Sequence, residues 1–215
     1  NTAYTDDIVA PNTSFSSFTG ANATAVFGAN VPLGEGNSHF VIPFSVMSRG
    51  LFFTANGDFK DFRNNIAFTP VELAVMRDIG YNITLSDHFG DTFYQDSNGV
   101  QQSVAAATPT KNFGVGTFIQ ADNLNLLFDN DISANGTYGT GIRINGGQEA
   151  VSNQNGQIIK ARSTIGNLLT IDQGTSISAN GMGGIGLLQS AGGNNVIVHR
   201  GTINANGTDG RGMVF

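Results

Sequence analysis

The sequence predicts a mainly β protein, with a right-handed parallel β-helix in the C-terminal half preceded by a small α+β subdomain with one clear helix. Three observations lead to this prediction. A glycine- and asparagine-rich sequence motif recurs late in the chain, and one earlier segment has both the N-terminal and the C-terminal capping residues of a helix. The 215 residues include 29 glycines, 40% hydrophobic residues and only 12% charged residues, a composition that suits short strands joined by tight turns.

The predicted helix lies in the segment F-T-P-V-E-L-A-V-M-R-D-I-G-Y-N-I, residues 68–83. Thr69 is a candidate N-cap, and Pro70 follows at the first helical position, where its missing N–H costs nothing. Glu72 stands three residues after Thr69 and completes a capping box. Gly80 supplies the left-handed residue that follows a helix. These features predict a helix that packs in a core, and none of them suggests a ligand site.

The recurring phrase is I-S/N-A-N-G, a short gap, and then G-x-G followed by an apolar residue. It occurs in D-I-S-A-N-G-T-Y-G-T-G-I-R-I, in S-I-S-A-N-G-M-G-G-I-G-L-L-Q and in T-I-N-A-N-G-T-D-G-R-G-M-V-F. Its anchors are Ile132, Ile177 and Ile203, and Q-I-I-K-A around Ile158 supplies a fourth, weaker match. Repetition of one phrase at intervals of roughly 20–50 residues, as between these anchors, indicates a solenoid.

The kind of solenoid follows from the apolar runs, which are too short for helices and are separated by Gly and Asn. We therefore predict a parallel β-helix in which inward Ile, Leu and Val stack between coils and Asn side chains form hydrogen-bonded ladders along the axis. The predicted division of the chain is a subdomain or cap at 1–84, a turn-rich transition at 85–116 and β-helix coils at 117–215.

Charge and cysteine content exclude several classes of partner and site. The net charge of −6 argues against nucleic acid and anionic membranes, since both need clustered Lys and Arg. The absence of Cys excludes disulfides and thiolate metal sites, and it fits a bacterial exported protein that crosses an envelope unfolded. The chain has no signal peptide and does not begin with Met, so we interpret it as a piece of a longer protein.

A series of short motifs covers residues 15–83. Their order is F-x-G-x-N-A-x-A-V-F-G, V-P-L, S-H-F, a short turn S-V-M-S, and then F-T-P-V-E-L-A-V-M-R-D-I-G-Y. This series resembles the C-terminal portion of bacterial metzincin-type zinc metallopeptidase domains attached to surface proteins. The resemblance implies that Met47 is the Met-turn residue beneath the metal, which is a structural part and not a catalyst.

The chain departs from that family at the metal site. No H-E-x-x-H occurs anywhere, and the three histidines, His39, His88 and His199, are far apart with no Glu beside them. Hydrolysis by zinc needs three protein ligands, an open position for water and a nearby carboxylate. We therefore assign no catalytic residue and no metal ligand in this chain, and expect zinc only in a longer parent. His39 is the one candidate cleft residue of a complete parent domain, and a hydrogen-bonded structural histidine is the alternative.

Calcium is also expected to be absent. The motif D-S-N-G at residues 96–99 matches part of a calcium loop but lacks its remaining ligands and the terminal Glu, so a plain turn is expected there. The phrase G-T-D-G-R-G at residues 207–212 matches half of a calcium-binding nonapeptide repeat but lacks G-G-x-G-x-D in register.

The C-terminal repeat resembles the stalks of autotransporter passenger domains, which repeat phrases such as G-x-I-x-A-x-G-x-x-G-x-G-I. This implies a fragment of a cell-surface or secreted bacterial passenger, with a structural or adhesive stalk and an N-terminal head or cap. It also implies an extracellular or cell-surface location, a host or bacterial surface ligand, no membrane contact by this fragment, and a parent anchored by a C-terminal outer-membrane barrel. The alternative is the C-terminal part of a secreted zinc metallopeptidase whose catalytic half lies upstream. This chain alone is not expected to be an enzyme.

Overall fold

The computed structural model describes residues 8–9, 17–33, 68–96, 99–103, 108–145, 151–152, 158–159, 166–190 and 193–215. In these ranges the protein is mainly β, with parallel sheets and two α-helices. The helices are α1 (Ala21–Phe27) and α2 (Pro70–Asp78), and a short 3-10 helix spans Leu85–Asp87.

The described strands are numbered in chain order. They are β1 (Ile8–Val9), β2 (Ser17–Phe18), β3 (Val31–Pro32), β4 (Phe89–Asp96), β5 (Gly99–Ser103), β6 (Val115–Gln120), β7 (Asn125–Phe128), β8 (Ile132–Ser133), β9 (Thr140–Ile144), β10 (Val151–Ser152), β11 (Ile158–Ile159), β12 (Leu168–Ile171), β13 (Ser176–Ser178), β14 (Ile185–Gln189), β15 (Val196–His199), β16 (Thr202–Asn204) and β17 (Arg211–Val214).

Helix α2 begins and ends as the sequence predicts. The Thr69 hydroxyl accepts a hydrogen bond from the Glu72 backbone N–H at 3.3 Å, and the Glu72 carboxylate accepts one from the Thr69 backbone N–H at 2.6 Å. Pro70 is the first helical residue, and Gly80 has a φ of +100° just after the helix. The predicted capping box, and the predicted left-handed glycine after the end of the helix, are therefore confirmed.

Helix α1 is a second helix that the sequence analysis did not predict. Its N-cap is Gly20, which offers no side-chain acceptor, and the cap is supplied instead by Asp78 at the end of α2. The Asp78 carboxylate accepts hydrogen bonds from the backbone N–H groups of Asn22 at 3.0 Å and Ala23 at 2.8 Å. A Cβ on Gly20 would collide with this carboxylate, so glycine is required for the approach. The two ends of the motif series at residues 15–83 are thus joined by hydrogen bonds.

Most of the strands after α2 form three parallel sheets. The first has the order β15-β12-β7, the second β16-β13-β8, and the third is six-stranded with the order β17-β14-β9-β6-β4-β5. Within them only the β4–β5 pair is antiparallel. In the second sheet Ile177 is paired with Ile132 on one side and with Ile203 on the other. The prediction that these three anchors share one row is confirmed.

The number of residues between corresponding positions of neighbouring strands is not constant. A hydrogen bond just after β13 and β16 joins Asn206 to Asn180, which are 26 residues apart in sequence. The corresponding hydrogen bond just after β8 and β13 joins Asn180 to Asn135, which are 45 residues apart. The larger spacing arises because residues 146–165 intervene between β9 and β12.

The weaker fourth match at Ile158 was wrong. Ile158 lies on β11, which is paired in antiparallel fashion with β10 in a separate two-stranded sheet, while Ile132 is paired directly with Ile177. The two adjacent isoleucines resemble an anchor of the repeat in sequence. The A-N-G turn that follows each true anchor is absent there.

The predicted asparagine ladders are confirmed at two places. Asn135 Oδ1 accepts from the backbone N–H of Asn180, and Asn180 Oδ1 accepts from that of Asn206, at 3.0 and 3.1 Å. At another turn, Asn195 Oδ1 accepts from both the backbone and the side-chain nitrogen of Asn167, at 3.2 and 3.0 Å. Each ladder satisfies a turn N–H that the strands leave unpaired.

The segment 85–116, predicted as a turn-rich transition, contains β4, β5 and the start of β6. Strand β4 is paired in parallel with β6, with Phe89 opposite Val115 and Phe93 opposite Ile119. The first part of the predicted transition therefore belongs to the largest sheet. The division of the chain into three domains stays a prediction.

Two hydrophobic clusters organise the described residues. The first lies between the helices and the large sheet, and its buried members are Phe18, Ala23, Phe27, Val31, Leu33, Val71, Leu73, Ala74, Val75, Phe89, Tyr94, Val115 and Phe118. The second lies among the parallel sheets, and its buried members are Phe93, Ile119, Ala121, Ile142, Ile144, Leu169, Ile171, Ile177 and Leu187. The large sheet thus has apolar side chains packed on both faces, as expected for a sheet covered by a helical layer on one side.

A column of glycines explains the repeated G-x-G. In the large sheet, a Cβ on Gly141 would lie 2.5 Å from the carbonyl oxygen of Gly186 in the next strand and would also collide with the side chain of Ile177. A Cβ on Gly186 would meet the carbonyl oxygen of Gly212 and the side chain of Ile203 in the same way. At this position the strands approach so closely that only glycine is accommodated.

Gly141→Ala is therefore expected to destabilise the protein by about 1–3 kcal/mol or more, because a backbone carbonyl cannot move aside as a flexible side chain can. Gly212 occupies the equivalent position in β17, and a Cβ there would meet nothing within 4 Å. Gly212→Ala is the matched control and should leave the free energy of unfolding within about 0.5 kcal/mol of the wild type. Urea denaturation of both variants measures the difference, and equal stabilities would contradict the close-approach explanation.

Candidate functional site

The two site residues assigned through the metallopeptidase resemblance, Met47 and His39, lie outside the described residues. The Met-turn role and the cleft role therefore stay predictions. Across the described ranges, no group of three or more His, Asp or Glu side chains is arranged to hold a metal ion. No helix in the described part of the chain is both long and apolar enough to cross a membrane.

A cluster of buried polar side chains lies between α2 and the large sheet. Arg143 on β9 is only 1% exposed, although its neighbours Ile142 and Ile144 line the second hydrophobic cluster. Because side chains alternate along a strand, Arg143 lies on the opposite face, beneath the helical layer. Glu72 in the first turn of α2 and Tyr94 on β4 are also buried, and both act electrostatically on Arg143.

Hydrogen bonds and charges hold the Arg143 guanidinium in this setting. Its Nε donates to the Ser190 hydroxyl and its Nη2 donates to the Asn145 side-chain oxygen, each at 3.3 Å. The guanidinium carbon lies 5.9 Å from the centre of the Phe118 ring, within range of a cation–π interaction. Burial lowers the pKa of Arg143 to about 10, and the Glu72 carboxylate opposes that shift. Arg143 is therefore still a cation at neutral pH.

Tyr94 completes this cluster as a neutral phenol. Burial raises the pKa of Tyr94 well above its ordinary value, so the side chain does not ionise in the neutral range. Its ring packs against Phe27 of α1 and Phe118 of β6, with centroids 6.1 and 5.4 Å apart. The cluster joins the helical layer to the sheet. Because its members are buried, it offers no surface on which a substrate could bind.

Sequence reasoning missed this cluster, although a signal for it was present. Arg143 interrupts the apolar strand G-I-R-I, and Glu72 was recognised only as part of the capping box. A charged residue in a short apolar strand is buried only when another element supplies an opposite charge. Because Glu72 and Arg143 are far apart in sequence, their proximity in the fold could not be predicted from either motif.

A second feature is an exposed column of turn residues, which we call the corner column: Phe113, Tyr138, Gly183 and Asp209. All four have left-handed backbones, with φ values of 59°, 56°, 64° and 58°. They are in register, because the backbone N–H groups of the first three donate to the carbonyls of Thr137, Met182 and Thr208, each just before the next member. The column therefore runs across successive strand rows at one turn.

Aromatic rings begin the corner column. Phe113 and Tyr138 are 53% and 49% exposed, and their rings are stacked, with centroids 5.2 Å apart and planes inclined by 18°. A Cβ on Gly183 would collide with the Tyr138 ring, so glycine leaves the room that this ring occupies. The asparagine ladder of Asn135 and Asn180 stands three residues before Tyr138 and Gly183 and is also exposed.

Comparisons with protein-family models, with curated proteins and with solved structures found no match to this chain.

Proposed function

We propose that this chain is a fragment of a bacterial cell-surface or secreted passenger of the autotransporter type, in which a right-handed parallel β-helix is a structural or adhesive stalk. The observation that carries the proposal is the register of the three parallel sheets. Each successive repeat contributes one strand to each sheet, as β12, β13 and β14 do before β15, β16 and β17. Parallel strands reached by successive crossovers favour the right-handed path.

The arrangement of apolar and polar residues supports a structural role. Inward side chains such as Leu169, Ile177 and Leu187 are fully buried, while glycine and asparagine occupy the turns. The helices cover the outer face of the large sheet at β4 and β6, which suits a head or cap at the N-terminal side of the stalk. A cysteine-free chain can also cross an oxidising compartment unfolded without forming wrong disulfides.

Surface display tests the proposal. The chain is fused between a secretory signal peptide and the outer-membrane anchor of an autotransporter and is expressed in a Gram-negative bacterium. We expect the chain to become accessible to antibody on intact cells and to resist mild protease there. A chain that folds when purified but is retained in the periplasm would contradict the passenger assignment. If the chain is displayed on the cell surface but the cells do not adhere, the structural stalk role is kept and the adhesive role is rejected.

The alternative function is the C-terminal part of a secreted zinc metallopeptidase. One observation favours it: Asp78 of the D-I-G-Y motif accepts hydrogen bonds at the start of α1, within the F-x-G-x-N-A motif, so the first and last motifs of the series are in contact. Both readings expect no stoichiometric zinc in this chain, which contains no H-E-x-x-H, so a ratio near one zinc per chain here would contradict the assignment of no metal ligand. Elemental analysis separates the two readings only in the longer parent that the peptidase reading requires, where a ratio near one zinc per chain would favour the peptidase.

A further inference from the structure

We propose that Asn206 is a site of spontaneous deamidation in the folded protein, and that the asparagine ladder protects Asn135 and Asn180 from the same reaction. The inference goes beyond the proposed function, since it concerns a chemical modification of the chain and not a stalk, a head or a peptidase. It rests on the geometry of the folded coils and does not depend on where the protein is located.

The first argument comes from the sequence at three equivalent turns. Asn135, Asn180 and Asn206 are each followed directly by glycine. In an Asn-Gly pair the backbone nitrogen of the second residue reaches the side-chain carbonyl carbon of the first with the least hindrance, because glycine has no Cβ. All three asparagines are exposed, so water and base have access to them.

The second argument is that the fold requires both residues of each pair. A Cβ on Gly207 would collide with the carbonyl oxygen of Gly181, and a Cβ on Gly181 would collide with that of Gly136, so a larger residue does not fit after the asparagine. The asparagine side chains in turn supply acceptors for turn N–H groups of the neighbouring row. The fold therefore retains a chemically labile pair at each of these turns.

The third argument separates Asn206 from the other two asparagines. Oδ1 of Asn135 accepts from the Asn180 backbone N–H at 3.0 Å, and Oδ1 of Asn180 accepts from the Asn206 backbone N–H at 3.1 Å. Ring closure needs the side chain to rotate toward the following nitrogen, which breaks this bond and leaves a turn N–H without its acceptor. Among the residues that the structure describes, no N–H donates to Oδ1 of Asn206, so its side chain rotates without that cost.

The attacking nitrogen is available as well. Within the described ranges, the Gly207 N–H donates no hydrogen bond. Asp209 and Gly210 form another labile pair in the same turn, but the Gly210 N–H donates to the Gly207 carbonyl at 2.9 Å. The geometry therefore selects Asn206 and not Asp209 as the reactive residue.

The reaction consumes only water. The Gly207 nitrogen loses its proton to base and forms a bond to Cγ of Asn206, the Cγ–Nδ2 bond breaks, and the leaving nitrogen takes up a proton and departs as ammonia. Water then opens the cyclic imide at either carbonyl, which gives aspartate or isoaspartate. Isoaspartate adds a methylene to the main chain shortly before β17. There the Thr208 carbonyl accepts from Gly183 and the Arg211 N–H donates to Gly184, so the register of β17 is disturbed.

The test uses the whole chain, aged at mildly alkaline pH both in the folded state and in concentrated guanidinium chloride. Peptide mapping by mass spectrometry follows each site separately, since Asn-Gly also occurs at residues 56–57, 98–99, 145–146 and 155–156. Asn135 is a matched internal control, because the same tetrapeptide A-N-G-T contains it and Asn206. We expect similar rates at the two sites in denaturant. In the folded chain Asn206 should react at least about fivefold faster than Asn135 or Asn180, as the loss of one hydrogen bond implies.

Asn206→Gln is the second control, because glutamine keeps the amide but closes its larger imide ring slowly. Ageing should lower the melting temperature of the wild type more than that of this variant. The proposal is overturned if Asn135 or Asn180 reacts as fast as Asn206 in the folded chain, or if Asn206 does not react there. Equal losses of melting temperature in the two proteins would overturn the effect on β17 that is assigned to isoaspartate.

Discussion

Ile177→Asp is expected to unfold the parallel sheets. Ile177 is 0% exposed and is paired with Ile132 and Ile203 on either side, so a carboxylate there would have apolar neighbours in both directions. An unpaired buried charge costs several kcal/mol, or about 4 or more with the lost apolar contacts. Because a domain of this kind is stable by only about 5–15 kcal/mol, far-UV circular dichroism should show a large loss of β structure or of melting temperature.

The control for this prediction is Ser178→Asp, one residue further along the same strand. The side chain of Ser178 is half-buried and points to the other face of the sheet. We expect Ser178→Asp to change the free energy of unfolding by less than about 1 kcal/mol. Similar losses in the two variants would contradict the alternation of inward and outward residues along β13.

Arg143→Ala should be the other large effect, at about 3–5 kcal/mol, because it leaves buried Glu72 without its cationic neighbour and opens a cavity beneath α2. Hydrogen exchange should report the loss first in α2 and β9, which meet at this cluster. Urea denaturation gives the total change.

Two variants separate charge from packing. Arg211→Ala removes an exposed arginine from β17 in the same sheet and should change stability by less than about 0.5 kcal/mol. The double variant Arg143→Met with Glu72→Gln removes both charges and keeps most of the volume, so it should recover much of the stability that Arg143→Ala loses. If the double variant is no more stable than Arg143→Ala, the buried charges are not the cause.

The features that the sequence predicted correctly are those with local causes. The cap of α2 depends on Thr69, Pro70 and Glu72, which are close neighbours, and all its predicted contacts are present. The shared row of Ile132, Ile177 and Ile203 was predictable because the same A-N-G turn follows each of them. In a repeat, equivalent residues of successive copies are paired with each other, so the register of the strands can be read from the sequence alone.

The features that escaped prediction depend on residues distant in sequence. Helix α1 has no capping side chain of its own, and its cap comes from Asp78, 56 residues after Asn22. Strand β4 contains Asp91 and Thr92 and reads as a polar turn, but pairing with β6 and cover from the helices bury most of it. In both cases tertiary contacts override a weak local preference.

Residues 146–165 have a consequence for how chains of this kind can vary in length. On their N-terminal side the backbone N–H of Asn145 donates to the Ile119 carbonyl in the large sheet, and on their C-terminal side the N–H of Leu168 donates to the Leu124 carbonyl at the first sheet. The residues on both sides of this segment are fixed by neighbouring strands, so the register of those strands does not depend on the length of the segment. Closing a loop twice as long costs only about 0.6 kcal/mol more. This junction is therefore a position where natural variation or an engineer can insert foreign sequence, even a whole cargo domain, without disturbing the alignment of the strands on either side.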